Sequence, residues 1–308
     1  MRGPILITGS HRSGTTWVGA IVGSSPEVGW IPEEPFNPYH RPGLCAARFP
    51  FWYAYISSGN SVRFKRHFER MFSFRYNVLA QLRETHSIGS IRPLTDDLGR
   101  LRSYRKRGLR PMLKDPLALF SAEWLAHTFN AQPVVLIRHP AAFASSLKRL
   151  EWRHDFDDFL SQPELIREYL TPFREELLER ARGAPCDVVD EAILLWRLIY
   201  HTVARYQEQY PDWVFVRHED LSSDPVRQFE LLFDQLGLRF GAEMAPIIAD
   251  FTGPQNPGEA PPECLHFLKR DSKSNIDNWR RRLTAEEIER IHRGVADIAP
   301  RYYSAADW

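Results

Sequence analysis

A glycine-framed loop near the start of the chain carries residue types that bind phosphate. The stretch ILITGSHRSGTTW covers residues 5–17, where a short apolar run enters a loop that Gly14 closes. Thr15 and Thr16 follow where a helix should begin, so backbone N–H groups and two hydroxyls would face an anion. The frame is that of a nucleotide-binding P-loop, but Thr15 stands where a lysine would reach the β and γ phosphates. The strong cation of this loop is Arg12 instead.

A second segment pairs an arginine with a serine. VVLIRHPAAFASSLKRL, residues 134–150, places Arg138 at the end of an apolar run and Ser146 two turns into the helix that should follow. An arginine and a serine at this separation can hold one phosphate from two sides, by charge and by hydrogen bond. Taken alone, the spacing is equally compatible with an arginine that pairs with a surface carboxylate.

The order of apolar runs and helical patterns predicts the fold that must position these residues. Short runs typical of strands lie at 5–8, 28–31, 111–113, 134–137 and 213–216, and helical patterns lie between them at 16–22, 122–129, 141–150 and 189–210. Strands that alternate with helices predict an α/β fold with a parallel sheet covered on both faces. Ligands of such sheets bind beyond the carboxyl ends of the strands. The residues that follow the predicted strands are Arg12 to Thr16, Glu33, Glu34, Lys114, Asp115, Arg138, His139 and 217–220.

Other segments show weaker signals. The aromatic stretch 49–55 and the helically spaced apolar residues of 62–82 are more typical of a core than of a cofactor site. The basic run at 100–110 has little apolar periodicity, so we expect either a solvated loop or a contact with an acidic substrate. The Pro/Gly-rich stretch 251–263 predicts an internal lid or connection, because a helix signal resumes at Thr284.

Composition limits the partners that we expect. The chain has 308 residues, 43% hydrophobic and 26% charged, with a net charge of +1, which is ordinary for a globular protein and offers no field to gather nucleic acid or membranes. Cys45, Cys186 and Cys264 are odd in number and lack CxxC spacing, which argues against a disulfide framework or a zinc site. Neither a secretory signal nor a membrane-spanning run is apparent. We therefore expect a cytoplasmic protein.

Together, the two phosphate segments resemble those of the sulfotransferases that use 3′-phosphoadenosine 5′-phosphosulfate (PAPS). In that family the loop for the 5′ end of the donor reads [KR]SGTTW, which residues 12–17 match with Arg12, Ser13, Gly14, Thr15, Thr16 and Trp17. The 3′-phosphate is held by an arginine and by a serine eight positions later, which Arg138 and Ser146 match. The resemblance implies a P-loop-type sulfotransferase fold that binds PAPS as co-substrate without a metal. It also implies that Trp17 lies near the adenine.

The resemblance extends to the catalytic residues. LKDPLAL, residues 113–119, is similar to the tyrosylprotein and several bacterial branches, which take their general base from a glutamate after the loop. The segment SSPEVGWIPEEPF, matched without a gap, implies Glu33 as that base, with Glu34 the close second. Lys114 would then stabilise the leaving or bridging oxygen, and Arg12 the phosphosulfate.

Looser matches lie towards the C-terminus. FVRHEDL, residues 215–221, is similar to the family's strand that ends in YEDL, with His218 in place of the tyrosine near the adenine. LKRDSKSNIDNW, residues 268–279, resembles the RKGxxGDW segment that closes over the 3′-phosphate, and both Arg270 and Lys273 are candidates there. Segments 40–110 and 150–210 match no family motif. Within a single domain of residues 1–308, we expect these two segments to be substrate-facing or lid insertions.

The sequence therefore predicts transfer of a sulfuryl group from PAPS to a hydroxyl or, less readily, an amine. The acceptor could be a small molecule, a saccharide or a peptide, because the aromatic stretch favours a ring-bearing compound and the basic run favours an anionic one. One alternative is a P-loop kinase of a small molecule, although Thr15 stands where it needs a lysine. Another is a non-catalytic nucleotide-binding protein of the same fold. The oligomeric state is not predicted.

Overall fold

A parallel sheet organises the chain in the computed structural model, which describes residues 2–83, 91–259 and 268–308. Within these ranges its strands are β1 (Ile5–Gly9), β2 (Val28–Ile31), β3 (Arg110–Lys114), β4 (Gln132–Ile137) and β5 (Val214–Arg217). They lie in the order β2-β3-β1-β4-β5, and each neighbouring pair is parallel. The predicted α/β fold with a central parallel sheet is confirmed, and each predicted strand falls within one or two residues of its observed bounds.

Helices flank the sheet. They are α1 (Thr15–Gly23), α2 (Val62–Phe72), α3 (Val78–Arg83), α4 (Ile91–Arg107), α5 (Ala122–Phe129), α6 (Pro140–Leu150), α7 (Asp157–Leu160), α8 (Pro163–Leu165), α9 (Arg174–Ala181), α10 (Val188–Gln209), α11 (His218–Ser223), α12 (Pro225–Leu236), α13 (Met244–Thr252), α14 (Trp279–Arg282) and α15 (Ala285–Gly294). A 3₁₀ helix, Pro116–Ser121, follows β3 directly. In the three described ranges, no helix is long and apolar enough to cross a membrane.

Local sequence signals set several helix boundaries. Asp187 caps α10 in a reciprocal arrangement with Asp190, and Thr284 caps α15 in the same way with Glu287. Each such capping box satisfies two backbone N–H groups that would otherwise lack partners at the helix start. Gly237, with a φ of 60°, ends α12 in the left-handed conformation that glycine adopts at little cost.

Each face of the sheet packs against its own apolar core. Ile5 and Ile7 of β1 join the core that includes side chains of α1, α12 and α13. Leu6, between them, belongs to the second core, which includes side chains of α6 and α10. Successive strand residues point to opposite faces, so a strand covered on both sides is buried along its whole length, as β1 is.

The strand register brings the predicted site segments to one edge. Ile7 of β1 lies opposite Lys114 of β3, and Gly9 lies opposite Leu136 of β4. Ile137 of β4 in turn lies opposite Arg217 of β5. The loop after β1, the end of β3 and the residues that follow β4 and β5 therefore share the carboxyl edge of the sheet, where α/β proteins bind ligands.

The prediction of a loop for the basic run is wrong as far as Arg107. That part of the run belongs to α4, which buries Leu101 and half-buries Tyr104 against the core. Two apolar residues that pack against the core give too short a periodic pattern to predict a helix from the sequence. Arg110 lies in β3, and its side chain donates to the carbonyl oxygens of Gly3 and Leu236. It therefore links three segments of the fold.

The aromatic stretch contributes to the core, as predicted. Phe49 and Tyr53 are buried, and the Phe49 ring stacks on Phe36 with centroids 4.5 Å apart. The apolar spacing over 62–82 corresponds to α2 and α3, although Leu79 and Leu82 are exposed. Of the predicted lid 251–263, residues 260–263 lie outside the described ranges, as does Cys264. We predicted that segments 40–110 and 150–210 face the substrate, and this stays a prediction. Within the second segment, side chains of α10 are part of the core.

A buried phenol joins two strand ends and can be tested directly. Tyr200 of α10 hydrogen-bonds Ser10 Oγ at 3.0 Å and accepts the Arg138 N–H at 2.9 Å. Tyr200→Phe leaves both partners buried without this oxygen, so the free energy of unfolding should fall by about 1 to 3 kcal/mol in urea denaturation. The exposed Tyr39 provides the control, and Tyr39→Phe should change the free energy of unfolding by less than about 0.5 kcal/mol. Equal stability of the two variants would contradict this account.

Candidate functional site

The loop after β1 has the conformation of an anion-binding corner. Gly14 precedes α1 with a φ of 94°, and a Cβ added there would lie 2.5 Å from His218 Nδ1. His218, the residue that follows β5, has its Nδ1 3.1 Å from the Ser13 carbonyl oxygen, so its ring packs against one side of the loop. Among the described residues, no side chain caps the start of α1. The first N–H groups of α1 therefore remain available to a bound anion.

The two phosphate segments touch each other. Arg12 Nε donates to Ser146 Oγ at 3.0 Å, across 134 positions of sequence. Arg12 adopts a left-handed backbone conformation with a φ of 65°, which is costly for a residue other than glycine and is often found at functional sites. Arg138 follows β4 on the same edge and is buried. The residues of the predicted 5′ and 3′ subsites therefore lie next to each other.

A cluster of positive charge lies around this contact. It consists of five arginines, Arg12, Arg138, Arg149, Arg270 and Arg282, which we call the arginine cluster. Burial lowers the pKa of Arg12, and the like charges of Arg138, Arg149 and Arg282 lower it further. The same two causes, in the same order, lower the pKa of Arg270 to about 10. Cations that are partly desolvated and that repel one another favour an anionic ligand.

Carboxylates compensate only part of this charge. Glu219 Oε1 lies 3.6 Å from Arg138 Nε. Glu259 pairs with Arg282 at 2.9 Å and with Arg149 at 3.6 Å. Arg12 forms no ion pair with a carboxylate of the described residues, and its side chain donates to the neutral Ser146 hydroxyl. The charge of Arg12 is therefore available to an anionic ligand.

The structure distinguishes the C-terminal candidates and adds two residues. Arg270 joins the arginine cluster, whereas Lys273 is exposed to solvent. Arg149 and Arg282 were not predicted from the sequence. Arg149 lies three positions after Ser146 on α6, a spacing that places both on one side of a helix, and this signal could have identified it. Arg282 ends a run of three arginines after Trp279 that is not distinctive by itself.

Two aromatic side chains beside the loop have unused polar atoms. The Trp17 and His218 rings meet edge to face with centroids 5.5 Å apart, and both are buried. Trp17 Nε1 and His218 Nε2 have no hydrogen-bond partner within the described residues. Burial, followed by the charge of Arg138, lowers the pKa of His218 well below its usual value, so the ring is neutral. Unsatisfied buried atoms of this kind fit the polar edge of a bound ligand.

The two adjacent glutamates have different partners. Glu34 forms an ion pair with the Lys114 ammonium group, whose stem crosses α1 at Gly19. Glu33 instead accepts from Arg41 Nε at 2.9 Å, and Arg41 also lies 3.3 Å from Asp97. Of the two glutamates, only Glu34 therefore contacts Lys114, the cation at the end of β3.

Asp115 holds the glutamate segment in place. Its Oδ2 accepts the Phe36 N–H at 2.8 Å, and its Oδ1 accepts the Leu117 N–H at 3.0 Å. Burial and, next, the charge of Glu34 raise the pKa of Asp115 well above its usual value. Because Asp115 neighbours Lys114 in the chain, one short segment fixes both members of the Lys114–Glu34 pair.

The histidines beside the phosphate segments have structural surroundings. His11 Nδ1 lies 2.7 Å from the Tyr53 hydroxyl, and burial lowers the pKa of His11 to about 3. His139 stacks on Trp279 with centroids 5.1 Å apart, and burial likewise lowers its pKa to about 3. Both imidazoles are therefore neutral near pH 7 and fill the turns after β1 and β4.

Comparison with known proteins agrees with this geometry. Residues 4–242 match a model described as the Sulfotransferase family. Carbohydrate sulfotransferase 2 of Mus musculus and that of Homo sapiens are 27% and 26% identical in alignments of 209 residues, and each alignment covers 59% of this chain and 34% of the length of the relative. A solved structure of the Sulfotransferase Domain from the Curacin Biosynthetic Pathway covers 96% of this chain, and 98% of that domain, at 16% identity and a TM-score of 0.51, which indicates a shared fold. Since the family match includes the loop of Arg12, the Lys114 strand end and the Arg138 segment, the chain belongs to the sulfotransferase family.

Proposed function

We propose that this chain transfers a sulfuryl group from PAPS to a hydroxyl acceptor. The observation that carries the proposal is the contact of Arg12 with Ser146 inside the arginine cluster. This contact joins a loop suited to one phosphate with a segment suited to another, as a donor phosphorylated at its 3′ and 5′ ends requires. Family membership and the homologous carbohydrate sulfotransferases support the same reaction class.

The site divides into two phosphate subsites and an adenine subsite. We assign the 3′-phosphate to Arg138, Ser146 and Arg270, because the two arginines lie within the cluster and the serine faces it. We assign the 5′ end to Arg12 and to the loop segment 13–16 at the start of α1. Trp17 and His218 would contact the adenine through their unused nitrogen atoms. Lys273 is a weaker candidate than Arg270, because it is exposed.

PAPS supplies an activated sulfuryl group. The acceptor oxygen forms a bond to the sulfur while the bond between the sulfur and the bridging oxygen breaks, and the bridging oxygen keeps the electron pair. The protein must hold the reactants in line and stabilise the negative charge that builds on the leaving oxygen. Lys114 is a cation at the strand edge that can do so, and Arg12 adds charge from the loop. No step of this reaction requires a metal ion.

The acceptor hydroxyl must also lose its proton, and we propose a glutamate as the base. The ungapped match favoured Glu33, but Glu33 is engaged by Arg41. The Glu34 carboxylate contacts Lys114, so a hydroxyl that Glu34 deprotonates would lie near the group that stabilises the leaving oxygen. This proximity favours Glu34 as the base, with Glu33 as the competing assignment.

A saccharide is the acceptor class that we favour. The supporting observation is the name of the relatives, which are carbohydrate sulfotransferases. The aromatic stretch gives less support to a ring-bearing small molecule than it did from the sequence, because Phe49 and Tyr53 are buried in the core. The cytoplasmic location and the absence of nucleic-acid binding stay predictions.

Donor binding can be tested by thermal stabilisation. 3′-Phosphoadenosine 5′-phosphate (PAP) at 100 times its dissociation constant should stabilise the protein by about 2.7 kcal/mol, whereas ATP with magnesium should not. Arg138→Ala removes a buried charge-assisted contact and should cost about 1.5 to 3 kcal/mol of PAP affinity. Arg174→Ala, at an exposed arginine paired with Glu175, should leave that affinity unchanged. Stabilisation by ATP and magnesium alone would refute the donor and support a P-loop kinase.

The base can be identified by two single variants. Glu34→Gln should lower the turnover number by about 10²- to 10⁴-fold, because a general base contributes on that order. PAP affinity, measured in parallel, should survive and show that the donor site is intact. Glu33→Gln should keep most of the turnover. The reverse pattern would assign the base to Glu33, and wild-type protein that binds PAP without any turnover of PAPS would favour the non-catalytic alternative.

A further inference from the structure

A buried carboxylate behind the arginine cluster binds partners from three parts of the chain. Glu219 Oε1 lies 3.6 Å from Arg138 Nε and accepts the His139 N–H at 3.1 Å. Glu219 Oε2 accepts the Tyr303 hydroxyl at 2.9 Å. Glu219 thus forms an ion pair with the inner nitrogen of the Arg138 guanidinium group, without a hydrogen bond to it, and the two terminal nitrogens remain for a ligand.

Tyr303 is held firmly as the donor to this carboxylate. Its side chain is buried, and the Arg217 guanidinium group lies 4.5 Å from its ring centroid. The His139 ring packs edge to face against it at 4.8 Å between centroids. Burial and then the charge of Glu219 raise the pKa of Tyr303, so its phenol keeps its proton near neutral pH. Tyr303 lies beyond residues 4–242, the part of the chain that the family match covers.

We propose that Tyr303 is a positioning residue for the nucleotide, which acts through Glu219 on Arg138. The inference rests on the proposed function, because it assigns Arg138 to the 3′-phosphate. While the phenol holds Oε2, Oε1 stays on the His139 N–H and faces Arg138 Nε, so the negative charge attracts the guanidinium group from the side of its inner nitrogen. Without the phenol, a buried carboxylate oxygen loses its donor, and the carboxylate can turn towards Arg138 and compete with the phosphate for the terminal nitrogens.

A purely structural role for the Tyr303 hydroxyl makes a different prediction. A general loosening of the protein would weaken the binding of any adenine nucleotide. A defect in the orientation of Arg138 would weaken only those nucleotides that carry a 3′-phosphate. The comparison of PAP with adenosine 5′-monophosphate (AMP), which lacks that phosphate, separates the two roles.

The neighbouring tyrosine provides a matched control. Tyr302 is also buried, and its hydroxyl donates to the Tyr200 carbonyl oxygen at 2.9 Å. Tyr302→Phe and Tyr303→Phe therefore each remove one buried hydroxyl with one acceptor. The acceptor of Tyr303 contacts Arg138 through its side chain, whereas the acceptor of Tyr302 is a backbone carbonyl group of α10.

The test is the dissociation constant of PAP and of AMP, measured by calorimetry on the full chain. Tyr303→Phe should weaken PAP binding by about 2- to 10-fold, the equivalent of one lost hydrogen bond, without changing AMP binding. Tyr302→Phe should leave both constants unchanged. Equal weakening of PAP and AMP by Tyr303→Phe, or no weakening of either, would overturn the proposal.

Two further outcomes separate this inference from the function on which it rests. If wild-type protein does not bind PAP more tightly than AMP, the 3′-phosphate site itself is refuted, and the role of Tyr303 with it. If Tyr303→Phe fails to fold, Glu219→Asp decides the matter, because it keeps the negative charge near Arg138 but its shorter side chain cannot reach both the Tyr303 hydroxyl and Arg138. That variant should lose affinity for PAP alone, and unchanged PAP binding would refute the proposal.

Discussion

The accumulation of positive charge at one edge of the sheet is the constraint on which the rest of this site depends. Arginines that are taken partly out of water and placed near one another destabilise the fold unless carboxylates or a ligand compensate them. Glu219 and Glu259 supply part of that compensation. An anion bound near the arginine cluster would therefore stabilise the fold, and the loop after β1 beside it has N–H groups that can bind one.

The surrounding elements keep these charges in place by hydrogen bonds to the backbone. Trp196 Nε1 donates to the Arg138 carbonyl oxygen at 2.9 Å, and Tyr200, one turn later on α10, accepts the Arg138 N–H. Tyr200 also bonds Ser10, so one helix fixes the ends of both β4 and β1. The backbone N–H and C=O groups of Arg138 are thus both satisfied, which fixes the position of the residue that carries the charge.

The sequence predicted the parts of this arrangement that depend on local patterns. Strand runs, the glycine-framed loop and the rule that ligands bind at the carboxyl edge were enough to bring Arg12, Lys114 and Arg138 together. The contribution of Tyr303 depends on tertiary packing, which no local periodicity encodes. The helix formed by much of the basic run was not predicted for a related reason: in its described part, only Leu101 and Tyr104 pack against the core.

The KDP segment shows how three consecutive residues can perform separate tasks. Lys114 ends β3 and directs its ammonium group to Glu34, while Asp115 turns inward to accept the N–H groups of Phe36 and Leu117. Pro116 begins the 3₁₀ helix, where its missing N–H group costs nothing. An asparagine at 115 would offer one carbonyl oxygen where two N–H groups need acceptors. The carboxylate is therefore required to hold Phe36, and with it the distance between Glu34 and Lys114, so the geometry of the proposed chemistry is fixed by a residue that need not touch the substrate.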